Sequence, residues 1–249
     1  MPAALIVLGL LAAWEAVVRL GAVDALLLPA PTQVLEALWT DRALLADDLV
    51  VTLSEVLLGL ALAIAAGSAL AAGMHLSGLL RRTLRPLVIG SQAVPVPVIA
   101  PLFILVLGFG LAPKVLMVAL VCFFPVTINL YDGLRDVDPD TRKVLRALDA
   151  SRWQSLRLLE VPSALPATFT GVKIAAAVAV IGAVFAEWAG ADAGLGHALL
   201  QANGQLETAR AFAATLLLVV LAVALYGLFA LLERRVVDWT PRSRPAGGP

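Results

Sequence analysis

Cysteine is nearly missing from this chain of 249 residues: Cys122 is the only one. An intrachain disulfide is therefore excluded, and with two histidines in all there is no metal-ligand spacing. Cys122 lies in an apolar run and reads as a small buried hydrophobe. Charge is scarce too. Charged residues are 14% of the chain and apolar residues 61%, against about a quarter and about half in soluble domains. Formal net charge is zero, which removes the case for nucleic-acid binding. The pattern G-x-x-x-x-G-K-S/T does not occur, so the chain has no P-loop with which to bind ATP. Clustered catalytic side chains are also missing, which argues against a membrane enzyme.

What is present is a set of long apolar runs. Six can be counted, at about 3–20, 50–74, 87–107, 113–131, 169–188 and 211–232. Each is near the ~20 residues that a helix needs to cross the hydrocarbon core. Only helices satisfy every backbone group within such a segment. The fold class is therefore an all-α membrane protein with six spans, read as a single transmembrane domain over 1–249. The N-terminus lacks a basic start and an A-x-A cleavage pattern, so it is expected to be a retained first span.

Lys and Arg set the direction. One set of loops holds Arg81, Arg82, Arg85, Arg135, Arg142, Lys143, Arg146, Arg152, Arg157, Lys173, Arg234, Arg235, Arg242 and Arg244; the other holds Arg19, Arg42, Lys114 and Arg210. This bias of 14 to 4 predicts that both termini are cytosolic. The first external loop is acidic, with Asp24, Glu36, Asp41, Asp47 and Asp48, and its Thr32 is placed to cap a short amphipathic helix through Val34, Leu35, Leu38 and Trp39.

Two spans carry small residues at intervals of four: Gly59, Ala63, Gly67, Ala71 and Gly171, Ala175, Ala179, Ala183. Such faces let helices approach closely. A tight bundle and a dimer contact both satisfy this pattern. The third span holds Pro95, Pro97 and Pro101, which predicts a bent or broken helix. With Ser91, Gln92 and Asn129, Pro95 and Pro97 are candidates for a pathway or gate, since polar groups and freed carbonyls at membrane depth face the bundle interior. Glu55 and Glu187 fall near outer span ends, where a carboxylate reaches interfacial water, and Glu187 is a further gate candidate. An ion-coupled secondary transporter would need ionisable groups near the midplane. It is the alternative reading. The glycines 190, 194 and 196 are not a dinucleotide fingerprint, because no βαβ unit surrounds them.

Between the fourth and fifth runs lies a polar region, 138–165, whose centre reads KVLRALDASRWQSLRLLEVP from Lys143 to Pro162. Asp138-Pro139 supplies an N-cap and a proline at the first helical position. Val144, Leu145 and Leu148 share a face. Ser151 and Gln154 fit a capping box, so a second helix starts there, with Trp153, Leu156 and Leu159 or Glu160 as its exposed stripe and Pro162 as its stop. Trp153 beside Arg152 and Arg157 has the composition of a docking surface.

This region resembles the cytosolic signature of the membrane permeases of binding-protein-dependent ABC importers. That signature reads Glu-Ala-Ala, three residues, Gly, nine residues, Ile, one residue, Leu-Pro. Here Lys143-Val144-Leu145, Asp149, Leu159 and Val161-Pro162 keep the spacing. Lys stands for Glu and Asp for the turn Gly; Asp accepts a left-handed turn better than most residues. The resemblance extends through Leu28-Pro29-Ala30-Pro31-Thr32, Ala100-Pro101-Leu102, Gly133-Leu134, Ala186-Glu187-Trp188, Gly194-Leu195-Gly196 and Leu232-Glu233-Arg234-Arg235. It is closest to the branch for aliphatic sulfonates, taurine, nitrate and the thiamine pyrimidine precursor, with a tilt toward the last.

The resemblance implies a type I importer permease in the bacterial inner membrane. Two copies would sit on separate ATPase subunits, which hold ATP and Mg, and an external solute-binding protein would deliver substrate. Lys143, Leu145, Asp149, Ala150, Ser151, Arg152, Trp153, Leu156, Leu159 and Pro162 would form the ATPase-coupling surface. The chain itself would bind no cofactor and catalyse no reaction. The orientation is testable: a thiol introduced by Ser151→Cys should stay unlabelled by an impermeant reagent outside intact cells. Labelling from outside would invert the topology.

Overall fold

The computed structural model describes residues 2–24, 26–93 and 95–238. Eleven α-helices and no strand are found among them. In order they are α1 (Pro2–Arg19), α2 (Pro31–Thr40), α3 (Arg42–Leu76), α4 (Gly78–Gly90), α5 (Val96–Leu107), α6 (Leu111–Arg135), α7 (Pro139–Ala147), α8 (Arg152–Ser155), α9 (Val161–Gly190), α10 (Leu195–Gly204) and α11 (Thr208–Val236). Arg242 and Arg244, which enter the orientation count, lie outside the described residues.

Among the described residues, helices cover the six predicted runs, the third with an interruption. Four are single long spans: α3, α6, the run Arg152–Gly190, and α11. At 1.5 Å per residue the 35-residue α3 is about 52 Å long, well beyond a hydrocarbon core of ~30 Å. Asp47 and Asp48, expected in a loop, therefore belong to this helix. The predicted third span is broken. α4 and α5 meet at 103°, as one bent span or a re-entrant pair. Pro95 is the N-cap of α5 and Pro97 sits in its first turn, where missing N–H groups cost nothing. α1 stands at the edge, with Trp14 tilted against Phe212 of α11 at 6.2 Å between ring centroids.

Thr32 is not the cap of α2. Ala30 holds that position, and its N–H donates to Gln33 Oε1 at 2.8 Å. Glu15 of α1 instead accepts from the Thr32 N–H at 3.1 Å and the Thr32 hydroxyl at 2.8 Å. A carboxylate from another helix replaces the local cap because it also complements the positive end of the α2 dipole.

α6 is the centre of the bundle, between α3 and α9. Both small-residue faces turn onto it within one chain, which decides between bundle and dimer contact. A Cβ at Gly59 would strike Val118. One at Gly67 would meet Thr127 Oγ1 at 2.9 Å, and one at Gly171 would lie 2.5 Å from the carbonyl of Pro125. Cys122 is fully buried in this seam and its thiol donates to the Ala175 carbonyl at 3.3 Å. Lipid provides no hydrophobic drive for association, so this close van der Waals approach holds the three helices together. α11 packs on α9, where Lys173 and Glu233 pair at 2.6 Å.

Gly171→Ala should therefore destabilise the detergent-solubilised protein by about 1–3 kcal/mol in an unfolding titration, because the added carbon meets backbone that cannot yield. Gly227→Ala, with open space around it, should be nearly silent.

Candidate functional site

Two constellations of side chains stand at opposite ends of the bundle. The first is where α10 begins. A helix starts with four N–H groups that have no intrahelical acceptor. Here side chains from two spans take all of them. Gly194 donates to Asp48 Oδ1 at 2.8 Å and Leu195 to Thr52 Oγ1 at 2.8 Å. Gly196 and His197 donate to Glu187 Oε2 at 2.6 and 3.1 Å. The Thr52 hydroxyl donates to Glu187 Oε1 at 2.7 Å, closing the ring.

Glycine is needed at both ends of Gly194-Leu195-Gly196. Gly194 has φ of +118°, and a Cβ on Gly196 would lie 2.8 Å from Glu187 Oε2 and 2.9 Å from the Val184 backbone. One turn further along α3, Glu55 accepts from Lys114 Nζ of α6 at 2.8 Å. Asp48, Thr52, Glu55, Lys114 and Glu187 are all buried. The expectation that Glu55 and Glu187 reach interfacial water is thus wrong. The overlong α3 and the lid formed by α10 cover both. Buried polar groups need hydrogen-bond partners: Asp48 and Glu187 find theirs at the α10 N-terminus, and Glu55 pairs through one oxygen with the Lys114 ammonium.

The second constellation is the elbow between α6 and α9. Asp138 caps α7 by accepting from the N–H of Asp140 and from the N–H and hydroxyl of Thr141. These donors hold its carboxyl below the usual aspartate range, so the cap is kept at neutral pH and lost only in acid. Just past the end of α7, Asp149 has a φ of 54°, the left-handed turn expected where the signature has Gly. Ser151 and Gln154 complete the capping box: Gln154 N–H donates to Ser151 Oγ at 3.2 Å, and Ser151 N–H donates to Gln154 Oε1 at 2.7 Å.

Pro162 does not stop the second helix. Residues 156–160 form a π-turn, with Val161 N–H bonding back to the Leu156 carbonyl, and the chain runs on into α9. Widening the turn absorbs the proline, whose ring has no N–H to give. Arg152–Gly190 is in consequence one helical run of 39 residues. Its start is tied to the end of α3. Glu160 is buried, accepts from His75 at 2.7 Å and pairs with Arg142 at 3.0 Å, while Arg152 donates to the Leu76 carbonyl at 3.2 Å. On the open side, Trp153 is 68% exposed and Leu148 72%, beside exposed Val144 and Leu158.

With both ends described, likeness to known proteins can be weighed. The family of binding-protein-dependent transport system inner membrane components matches residues 59–238. The chain belongs to this family. It is a membrane-spanning permease subunit of an ABC importer. A probable ABC transporter permease of Haemophilus influenzae is 39% identical over 89% of this chain and 91% of its own length. The formylaminopyrimidine transport permease of Halalkalibacterium halodurans is 35% identical over 86% of each chain. The riboflavin transport permease of Chloroflexus aurantiacus is 37% identical over 92% of this chain and 87% of its own. Among solved structures, a chain of the inward-facing MetNI methionine ABC transporter superposes with a TM-score of 0.69 at 18% identity, over 79% of this chain and 98% of that one, which shows the shared fold.

In this permease the ten residues expected to form the coupling surface fall together on the elbow. Lys143, Asp149, Ser151, Arg152 and Trp153 are exposed, while Leu145, Ala150, Leu156, Leu159 and Pro162 are half-buried. Trp153, Leu156 and Leu159 do not form one exposed stripe, because Leu158 takes the open position. The predicted pathway residues do not form one cluster. Ser91 and Gln92 lie in the turn after α4, and Pro95 and Pro97 open α5. Asn129 donates to the Pro125 carbonyl of its own helix at 2.8 Å, at the α6–α9 crossing. Glu187 belongs to the α10 cap at the far end.

Sequence reading missed Asp48, Thr52, His75 and Glu160 as partners, and took Lys114 only as a loop charge. One signal was there. Asp48, Thr52 and Glu55 continue the Gly59–Ala71 face at helical spacing, so the face that packs on α6 turns polar toward one end. Lys114→Met alone should cost roughly 3–5 kcal/mol in an unfolding titration, by stranding Glu55. Adding Glu55→Leu should recover most of that loss. Glu187→Ala should leave the buried Gly196 N–H and the half-buried His197 N–H unpaired, at up to about 1–3 kcal/mol each, and raise hydrogen exchange at the start of α10.

Proposed function

We propose that two copies of this permease form the translocation path of an importer whose ATP and Mg sit on separate ATPase subunits. An extracytoplasmic solute-binding protein delivers the substrate. The permease itself catalyses nothing and binds no cofactor. Both termini and the elbow face the cytosol, on the 14-to-4 bias of Lys and Arg. One observation carries this reading: exposed Trp153 stands on the same 39-residue helical run whose other half packs on α6. A continuous helix transmits displacement of its end to the bundle core without a hinge.

ATP-driven closure of the ATPases would draw the two elbows together and open the bundle outward; hydrolysis would let it return. The two states differ by rigid-body motion biased by differential contacts. Lys143, Leu145, Asp149 and the run from Ala150 to Trp153, with Leu156, Leu159 and Pro162, form the grip. The break between α4 and α5, with Ser91, Gln92, Pro95 and Pro97, is the proposed flexing element beside the path. Asn129 lies at its cytosolic end, and Glu187 acts on the outer end by fixing α10.

For the substrate, a flat nitrogen heterocycle of the pyrimidine-precursor kind is favoured. Both substrate-named relatives reported above are named for heterocycles, a formylaminopyrimidine and riboflavin. Sulfonates, taurine and nitrate are the competing ligands. Trp153→Glu should abolish ATP-dependent uptake while the protein still folds and inserts; unchanged uptake would reject the grip. The purified wild type should bring a P-loop ATPase with it. Calorimetry on the partner binding protein should give heat with an aminopyrimidine and none with taurine.

A further inference from the structure

The elbow has a second face, which Trp153 does not line. A cleft of about 580 Å³ opens there between α7–α8 and the ends of α3 and α6. Five guanidinium groups line it: Arg81, Arg135, Arg142, Arg146 and Arg152. Its one carboxylate, Glu160, is already taken by His75 and Arg142. Among the described residues, Arg81, Arg135, Arg146 and Arg152 form no ion pair. Four unpaired cations thus converge in a protein whose formal charge is zero. Guanidinium forks match the oxygens of a phosphate, and basic pockets at the cytosolic ends of membrane helices suit anionic headgroups.

We propose that this cleft binds the phosphate headgroup of an anionic phospholipid of the cytosolic leaflet, bridging α4 to the elbow. The leaflet rests on the orientation proposed above; the cleft itself does not. Two observations favour a lipid over a soluble anion or an acidic face of the ATPase. Leu76, which lines the cleft, and Leu79 and Leu80 beside Arg81 are 47%, 75% and 40% exposed, a rim on which an acyl chain can lie. Trp153, Val144, Leu148 and Leu158, the exposed apolar groups of the elbow, do not line the cleft; it shares only Ala150, Arg152 and Leu156 with the proposed grip, so a partner seated on the apolar groups leaves Arg81, Arg135, Arg142 and Arg146 for another ligand.

The test uses the full transporter, solubilised and delipidated, with native mass spectrometry against phosphatidylglycerol and phosphatidylcholine. Wild type should retain phosphatidylglycerol selectively. Arg81→Gln with Arg146→Gln should weaken it by roughly fivefold per charge, about thirtyfold in all, and leave phosphatidylcholine unchanged. The paired Lys variants, which keep the charge, should bind far better than the Gln pair. If the Gln pair fails to assemble, the lipid preference of wild type and of the Lys pair still decides. Equal binding of the two lipids, or unaltered affinity in the Gln pair, would overturn the proposal. Displacement by inorganic phosphate as effective as by phosphatidylglycerol would reassign the cleft to a soluble anion. Loss of the copurified ATPase in the Gln pair with lipid binding intact would reassign it to that partner. Both faces are accessible in detergent, so a wrong orientation, read from Ser151→Cys labelling, stays separate from these outcomes.

Discussion

Everything in this permease depends on how closely α3 and α9 can lie against α6. In lipid, apolar side chains gain nothing by leaving their surroundings, so helices are held by contact alone. Contact at this distance needs residues without bulk. Gly59, Gly67 and Gly171 supply it, each where a single carbon would strike α6. The result is a three-helix slab of fixed geometry. Its two ends can then be specialised for unlike tasks.

At one end the specialisation is polar and enclosed. The stripe that is small along the middle of α3 becomes Asp48, Thr52 and Glu55, and meets Glu187 of α9 and Lys114 of α6. The N–H groups of α10 hold Asp48, Thr52 and Glu187, and Lys114 supplies the one cation, held by Glu55. Burial makes each of these bonds costly to break, so α10 is fixed on the slab. At the other end the specialisation is open. The π-turn joins the α8 segment and α9 into one helical run, and Glu160, His75 and Arg142 tie its foot to α3. The open side carries exposed aromatic and aliphatic groups; the cleft beside it gathers five arginines around a single carboxylate.

Much of this was legible in the chain. The apolar runs gave the spans, the four-residue spacing gave the close faces, and Ser151, Gln154 and Asp138-Pro139 gave the elbow and its caps. Asp149 gave the left-handed turn. Each of these signals acts within a few residues, where propensity and capping dominate. The errors came where a local rule met a long-range contact. Thr32 has the chemistry of a cap, yet Glu15 from another helix takes that role. Pro162 is a helix breaker, yet a wider turn carries the helix past it. Glu55 and Glu187 look like interfacial acids, yet α3 overshoots the membrane and α10 covers them.

The sequence by itself determined that this is a helical membrane protein, which loops carry the positive charge, and where the elbow lies. Hydropathy, charge count and capping are properties of single segments, readable without knowing what each segment touches. Only the tertiary structure decided that both small faces serve α6, that Lys114 belongs to Glu55, and that five arginines from four helices share one cleft. Those facts depend on which segments become neighbours in space, and partner choice between helices leaves no mark in either segment alone.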